Sequence, residues 1–292
     1  MAQGRTVANR GVCGAHAWFG SAMRNVRRVI QAAGAWSICV LLASCSNPSD
    51  QALSRAGLNP GRLRGVVAPG VDLSGLNLVG RDFSGADLHG ADLRGCDLRR
   101  ADLTKANLRG ANLNSLPASK LRRALYPEER RSLYYQTNLS DANLSEADLT
   151  GADLRNARLV KSKLRFAKLR GARVESNMDE TYFFAPALFY DCDLTGADLR
   201  EVKDASIFKS KLNGADLRGS LWLSCPFTDC DLRGARLEGA NLARAWDLST
   251  AQLQGAVYDS ETRLPSDVDP KQAGMIRAVR AAGPGAEKPR KR

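Results

Sequence analysis

The sequence predicts an all-β solenoid, on three observations. A five-residue unit, A(D/N)L plus a polar residue and often Gly, fills most of the chain, as in Ala86-Asp87-Leu88-His89-Gly90 and Ala91-Asp92-Leu93-Arg94-Gly95. Apolar and polar residues alternate within the unit. A turn-forming residue closes it. So short a period over so long a stretch comes close to dictating the backbone.

With the Leu or Phe of each unit as its centre, the units fall into blocks. Centres step by five from Leu73 to Leu113, from Leu139 to Leu199 and from Val202 to Leu242. After a one-residue slip, Leu248, Leu253 and Tyr258 bring the candidates to thirty-four, with Asp179 the poorest centre. On extended backbone the central Leu and the Ala two before it share a face, and the Asp or Asn between them points the other way. The Leu/Ala face is therefore the inside. Gly in the fifth place permits the corner conformation that other residues resist. A flat sheet is excluded by a turn every five residues. An α-helix would smear the leucines around its whole cylinder. Coils that wind back over themselves, each bonded to its neighbours at about 4.8 Å, are what remains.

With these units the sequence resembles the pentapeptide-repeat family, over residues 71–258. The resemblance implies a right-handed quadrilateral β-helix with four units per coil, hence about eight coils. Asn114 to Thr137 interrupts it as an insertion (114–137), rich in Arg and Tyr. Asn177 to Tyr190 keeps the five-residue register, with Phe184 and Phe189 at inward centres. After Tyr258, residues 259–282 read as a cap: Asp269-Pro270 opens a helical pattern to Ala282, with Gly283 beyond. Such a helix would cover the open edge of the last coil. Residues 283–292 form a basic tail without structure of their own.

Charge is unevenly spread. The formal total is +12, of which residues 1–45 carry +5 and residues 271–292 carry +6, leaving +1 for the whole rod. Asp before the centre and Arg after it, as at Arg94, Arg155 and Arg218, read as solvated cross-strand ladders of little net worth.

The N-terminus carries the second signal. Met23, expected as the true start, opens a basic stretch with Arg24, Arg27 and Arg28; an apolar run from Val29 ends in Leu42-Ala43-Ser44-Cys45. These are the regions of a secretory signal, and the run is short for a membrane span. Leu-Ala-Ser-Cys resembles the bacterial lipobox, which implies a leader over 1–44, cleavage before Cys45, and acylation of that residue. Ser46 after the cysteine, in place of a retention-type Asp, favours the outer membrane. Residues 45–70 read as a tether from lipid to rod.

Chemistry is sparse. Cys96, Cys192, Cys225 and Cys230 all stand two residues before a centre, in the slot of Ala or Ser. They read as small buried hydrophobes. A Cys225/Cys230 pair without nearby His is half a zinc site. His89 is the one histidine beyond the leader and occupies an outward position. No triad, phosphate loop or metal constellation emerges, so neither catalysis nor a cofactor is expected.

Specific function is expected where the period fails. Arg122, Arg123, Tyr126, Arg130, Arg131, Tyr134 and Tyr135 in the insertion, with outward Phe183 and Tyr190, are the candidate partner contacts. The expectation is a non-catalytic, lipid-anchored extracytoplasmic scaffold or protein-binding module. Its partners would be an unidentified protein, the membrane through the N-terminal lipid, and a second rod end to end. The alternative, implied by the family alone, is an acidic DNA mimic that binds DNA gyrase. A rod at +1 lacks the negative field this needs, an exported protein cannot meet gyrase, and no nucleic acid partner is expected.

Overall fold

The computed structural model describes residues 47–117, 134–174, 189–222 and 225–278. The middle residue of each unit forms a parallel bridge to the middle residue one coil on, so bridges run in four columns, one per face. Face 1 starts at Val67↔Asp87, face 2 at Asp72↔Asp92, face 3 at Asn77↔Asp97 and face 4 at Asp82↔Asp102. Each bridge closes two backbone bonds, as in Leu73 N–H to Asp92 O (2.9 Å) and Asp92 N–H to Val71 O (2.9 Å). Face 1 passes from Val67 to Val257 through eight coils, a rise of about 40 Å at strand spacing. The solenoid is the right-handed quadrilateral form.

Inside, the leucines and alanines stack. Leu88, Ala91, Leu98, Leu154, Ala167 and Leu199 are all fully buried. Each buried leucine contributes very roughly 1.5–3 kcal/mol. At the corner the peptide chain turns through Ala91 N–H to Leu88 O (3.0 Å), with Gly90 at φ 66. Among the described residues thirteen non-glycines, Arg100 to Asp247, adopt the same left-handed conformation. In isolation each would cost about 1–2 kcal/mol. The coils above and below hold them there.

Both ends depart from expectation. The residues read as a tether fold onto the rod: α1 (Pro48–Arg55) buries Ser49, Ala52 and Leu53. Ser49 Oγ accepts the Asn77 N–H (3.1 Å), Asp50 pairs with Arg81, and Leu58 and Leu63 extend the core upward. The first bridge, at Val67, precedes the expected boundary at residue 71. The i, i+3, i+4 spacing of Ser49, Ala52 and Leu53 carried this signal. An open first coil would expose an unpaired edge and apolar side chains, and α1 covers them.

At the other end the expected helix over 269–282 is absent from the described residues, which run to Ala278. Asp269 and Pro270 do begin a helical turn, with Ala273 N–H bonded to Asp269 O (2.9 Å). Gly274 then ends it at φ 68: its own N–H bonds to Lys271 O (3.1 Å) and Met275 N–H to Pro270 O (2.8 Å). That is the Schellman arrangement, which stops a helix after its last carbonyls are satisfied. The chain next extends, and Ile276–Arg277 pairs in parallel with Val257–Tyr258 on face 1. One side also follows Tyr258, because Arg263 bridges Asn241 on face 2. Segment 264–275 thus returns from face 2 to face 1.

Between the ends, the period breaks three times by two residues or more, besides a one-residue slip after Trp246, where Asp231 bridges Gln252. Asn112 bridges Asp153, forty-one residues on instead of twenty, so the insertion adds twenty-one. It leaves and re-enters through antiparallel β1 (Leu116–Pro117) and β2 (Tyr134–Tyr135). Next, β3 (Leu159–Val160) pairs with β4 (Phe189–Tyr190), thirty residues on. The register over Leu139 to Leu199 therefore holds modulo five, yet yields two fewer sides than its thirteen centres predict. Asp179 and Phe184 lie outside the described residues. Finally, β4 pairs with β5 (Ile207–Phe208) only eighteen residues on. Val202 takes the inward slot two before a centre and Asp204 the centre itself, a reversal of the expected phase.

Replacing Leu154, fully buried, with Asp should abolish cooperative unfolding or lower stability by more than about 3 kcal/mol, since a buried charge has no partner there. Arg155→Ser, at a surface ion pair, should cost less than about 1 kcal/mol. Urea titration followed by circular dichroism checks both; equal tolerance would mean the inward assignment is wrong.

Candidate functional site

The two long excesses of chain fall between the same two faces. The insertion departs after Leu113 on face 2 and returns at Asn138 on face 3; the later excess lies between Val174 on face 2 and Phe189 on face 3. One intact corner, at Asn156, separates them. Breaks sixty residues apart in sequence thus sit two coils apart, about 10 Å along the axis.

Local chemistry closes the exit. Thr137, fully buried, accepts the Gly95 N–H (2.9 Å) and reaches Leu93 O (3.1 Å) and Asn114 O (2.9 Å) with its hydroxyl. Asn114 Oδ1 accepts from Ser115 N–H (2.6 Å) and from Asn156 Nδ2 (3.2 Å) on the corner below. Polar backbone freed by the insertion is therefore satisfied before β1 begins.

Face 3, beside this corner, changes character down its length. Its middle slot holds Asn77, Asp97, Asn138 and Arg158 above and Pro226 and Trp246 below, and the slot after the centre holds Val160, Tyr190 and Phe208. Val160, Tyr190 and Phe208 stack in register on consecutive coils. Tyr190 is 37% and Trp246 62% exposed. Lys209 Nζ lies 5.9 Å from the centre of the Tyr190 ring. Elsewhere the outward slots are mainly polar or charged, so this apolar strip is distinct.

The predicted contacts distribute as follows. Cys45, Arg122, Arg123, Tyr126, Arg130, Arg131 and Phe183 lie outside the described residues. Tyr134 and Tyr135 form β2 at the base of the insertion. Tyr190 stands on face 3, and Phe189 beside it is buried. Sequence reasoning passed over Phe208, Trp246 and Phe166. Trp246 holds the middle slot usually given to Asp or Asn, and Phe208 follows a centre, so alternation alone marks both as outward. Phe166, 57% exposed, lies over Gly196, where an added Cβ would come 2.5 Å from its ring.

The charged residues work differently from the ladders expected. Asp72, Asp92, Asp153 and Asp216 each accept the backbone N–H two residues on, at 3.0–3.2 Å. The following Arg then pairs with the Asp of its own unit, as in Arg155–Asp153 (2.7 Å) and Arg218–Asp216 (2.6 Å). Pairs across coils also occur, such as Arg170–Glu201 (2.6 Å) and Lys168–Asp148 (3.9 Å). The Arg233 guanidinium lowers the Asp231 carboxyl to about 2, against the cost of burial. At Asp153 and Asp216 burial opposes the shift, and the hydrogen bonds from Arg155 and Arg218 outweigh it.

Cys96, Cys192, Cys225 and Cys230 are free and buried. Burial pushes Cys96 and Cys192 up to about 12, Cys230 to about 11, and Cys225 well above its ordinary value. They are more than alanine substitutes: Cys96 Sγ donates to Leu73 O (3.0 Å) and Cys192 Sγ to Leu159 O. Neutral thiols of this kind are poor nucleophiles. Among the described residues no group of three His, Cys, Asp or Glu side chains could hold a metal, and no helix is long and apolar enough to cross a membrane. His89 bonds through Nδ1 to Asp87 (2.8 Å) on the exposed surface.

Bridged four-sided coils with inward leucines and left-handed corners define a repeat solenoid. The pentapeptide-repeat family model matches it in eight copies, over residues 82–115, 137–175 and 224–257. Over those residues the chain carries the repeats of the pentapeptide-repeat family. A comparison with curated proteins gave no match. Solved structures similar to it include HetL, a pentapeptide repeat protein involved in heterocyst differentiation regulation in Nostoc sp. strain PCC 7120. It is 22% identical, covers 77% of this chain and 90% of its own, and has a TM-score of 0.46. QnrB1, a plasmid-mediated fluoroquinolone resistance protein, is 19% identical over 72% of this chain and 91% of its own, with a TM-score of 0.43. A third, alr5209 from Nostoc PCC 7120, is 28% identical over 40% of this chain and 84% of its own, with a TM-score of 0.25.

The lowered carboxylates predict a pH window. A carboxyl whose pKa falls on folding stabilises the native state above its unfolded value, and that stability is lost as pH falls through the folded value. For Asp231 the window runs from 3.8 down to about 2. The urea midpoint should drop across it, and Asp231→Asn should flatten the drop. An unchanged slope would show that Asp231 is not held by Arg233.

Proposed function

We propose that this protein is a non-catalytic, lipid-anchored scaffold of the bacterial cell envelope that binds a protein along face 3 and the corner beside it. The observation that carries the reading is the convergence of both long breaks at one corner, next to the apolar strip of Tyr190, Phe208 and Trp246. Surface aromatics gathered beside chain departures are the composition of a contact site. The repeat uses its polar groups on itself: aspartates cap their own corners, arginines hold those aspartates, and thiols close backbone carbonyls. Little is left over for catalysis.

The membrane part of the reading rests on Leu42-Ala43-Ser44-Cys45 after a basic and apolar leader. Acylation of Cys45 gives stable anchoring where one chain alone would be marginal. Ser46 favours the outer membrane. The near-neutral rod counts against mimicry of a nucleic acid duplex.

Palmitate should label the wild-type protein and not Cys45→Ala, which should move from the membrane to the soluble fraction. Label retained in Cys45→Ala would remove the anchor. For the contact surface, proximity labelling from the anchored protein should enrich a partner that is lost, at unchanged protein level, in Trp246→Ser/Phe208→Ser and on deletion of residues 118–133. A partner retained by all of these variants would place binding elsewhere.

A further inference from the structure

We propose that the N-terminal end of the solenoid docks on the anionic phospholipid headgroups of a bilayer through Arg55, Arg62 and Arg64. The idea that this end is brought to the membrane rests on the lipid reading of Cys45; the role of the arginines is testable without it.

This end of the rod carries arginines that stand outside the Asp–Arg units. Arg55, Arg62 and Arg64 are all exposed, and the described stretch 47–71 contains one acid, Asp50, already engaged by Arg81. Most arginines that follow an aspartate along the rod are held by it two residues away, as in Arg94–Asp92 (2.5 Å) and Arg200–Asp198 (2.6 Å). Arg55 and Arg62 sit in no such unit, and Arg64 contributes only a through-space effect that helps lower Asp82. Val67, on the first rung beside them, is 72% exposed. A basic end with an exposed apolar residue suits a headgroup surface, where each cation near an anionic leaflet gains about fivefold in binding.

Geometry adds the second argument. α1 is fixed to the rod by Ala52, Leu53, Ser49 and the Asp50–Arg81 pair. Only Ser46 and Asn47 separate Cys45 from Pro48. Fully extended, that link reaches about 10 Å, roughly one Debye length at moderate salt. An acylated Cys45 therefore has no long tether, and the α1 end of the rod is the part held next to the leaflet. The rod would stand on its N-terminal end, with the face 2/face 3 corner presented above the surface.

The test uses the full exported chain carrying Cys45→Ala, so that no acyl chain contributes. Flotation with phosphatidylcholine vesicles is compared with and without phosphatidylglycerol, at low and high salt. Binding is expected only with phosphatidylglycerol and should fall at high salt. Arg55→Ser/Arg62→Ser/Arg64→Ser should weaken it roughly a hundredfold, at about fivefold per arginine. Arg94→Ser/Arg99→Ser, on the paired surface, should leave it unchanged. Should the triple variant melt early, Arg55→Ser and Arg62→Ser measured singly give the same answer at smaller size. Equal binding by the triple variant, equal binding to neutral vesicles, or no binding overturns the proposal. Release by inorganic phosphate beyond that by chloride of equal ionic strength would identify a soluble-anion site and also overturn it. Palmitate labelling of wild type reports Cys45 separately: phosphatidylglycerol-dependent binding without label supports docking while removing the lipid.

Discussion

Everything in this molecule depends on one constraint: each coil must satisfy its backbone on the coils above and below. Most sides contribute one bridging residue and a few contribute two, so no single side is a strand of useful length. Stability comes from repetition, with each unit leaning on its neighbours. The inward Leu and Ala follow, because only apolar residues can fill an interior with no water. The left-handed corner follows too, because five residues must both cross a side and turn. Where glycine is absent from a corner, the stack enforces the conformation.

One corner illustrates how charge adapts to that stack. Between faces 3 and 4, Arg100, Asp141, Lys161, Asp191, Lys209 and Asp229 occupy successive left-handed positions. Their signs alternate without exception. Residues stacked at about 4.8 Å with like charge would repel, so alternation lets charged side chains stand where glycine is usual. The coil from Ala157 to Val174 shows the same logic on a larger scale. It carries seven bases and no acid, with Arg158, Lys163, Lys168 and Arg173 in the four slots usually given to Asp or Asn. Those bases cannot accept the corner N–H, so this coil gives up the local cap. Neighbouring coils supply carboxylates instead, through Asp148, Asp153, Asp193 and Glu201.

The fold was legible in the sequence because the repeat states it many times over. Leu154 is inward and Arg155 outward by the same rule that applies at every unit. What was hidden is whatever the rule does not govern. Gly274 stopped a helix that Asp269 and Pro270 had announced, and a five-residue reading has no place for that competition. Asp204 at a centre and Val202 two before it depend on a side shortened by two residues, which only pairing with Leu221 reveals. Trp246 and Phe208 were legible in principle: their slots point outward, and an aromatic there is anomalous. The convergence of the two breaks was not, because it requires knowing which corner each residue number reaches.

That convergence changes what a break in a repeat means. On a quadrilateral with twenty residues per coil, an excess can be accommodated at any of four corners. Both long ones use the corner between faces 2 and 3, and the shortened side adjoins it, at Lys203 to Ile207. Random insertion into a tolerant scaffold would scatter such events over the four corners. Face 3 is also the face where Pro226 and Trp246 take the slot of Asp and Asn, and where Tyr190 and Phe208 follow the centre. Regular columns on faces 1 and 4 keep the backbone register through all three events, with Asp148↔Lys168↔Asp198↔Asp216 unbroken on face 1. The solenoid thus divides its labour by side: two faces keep the coils in step, and the edge opposite them is free to vary.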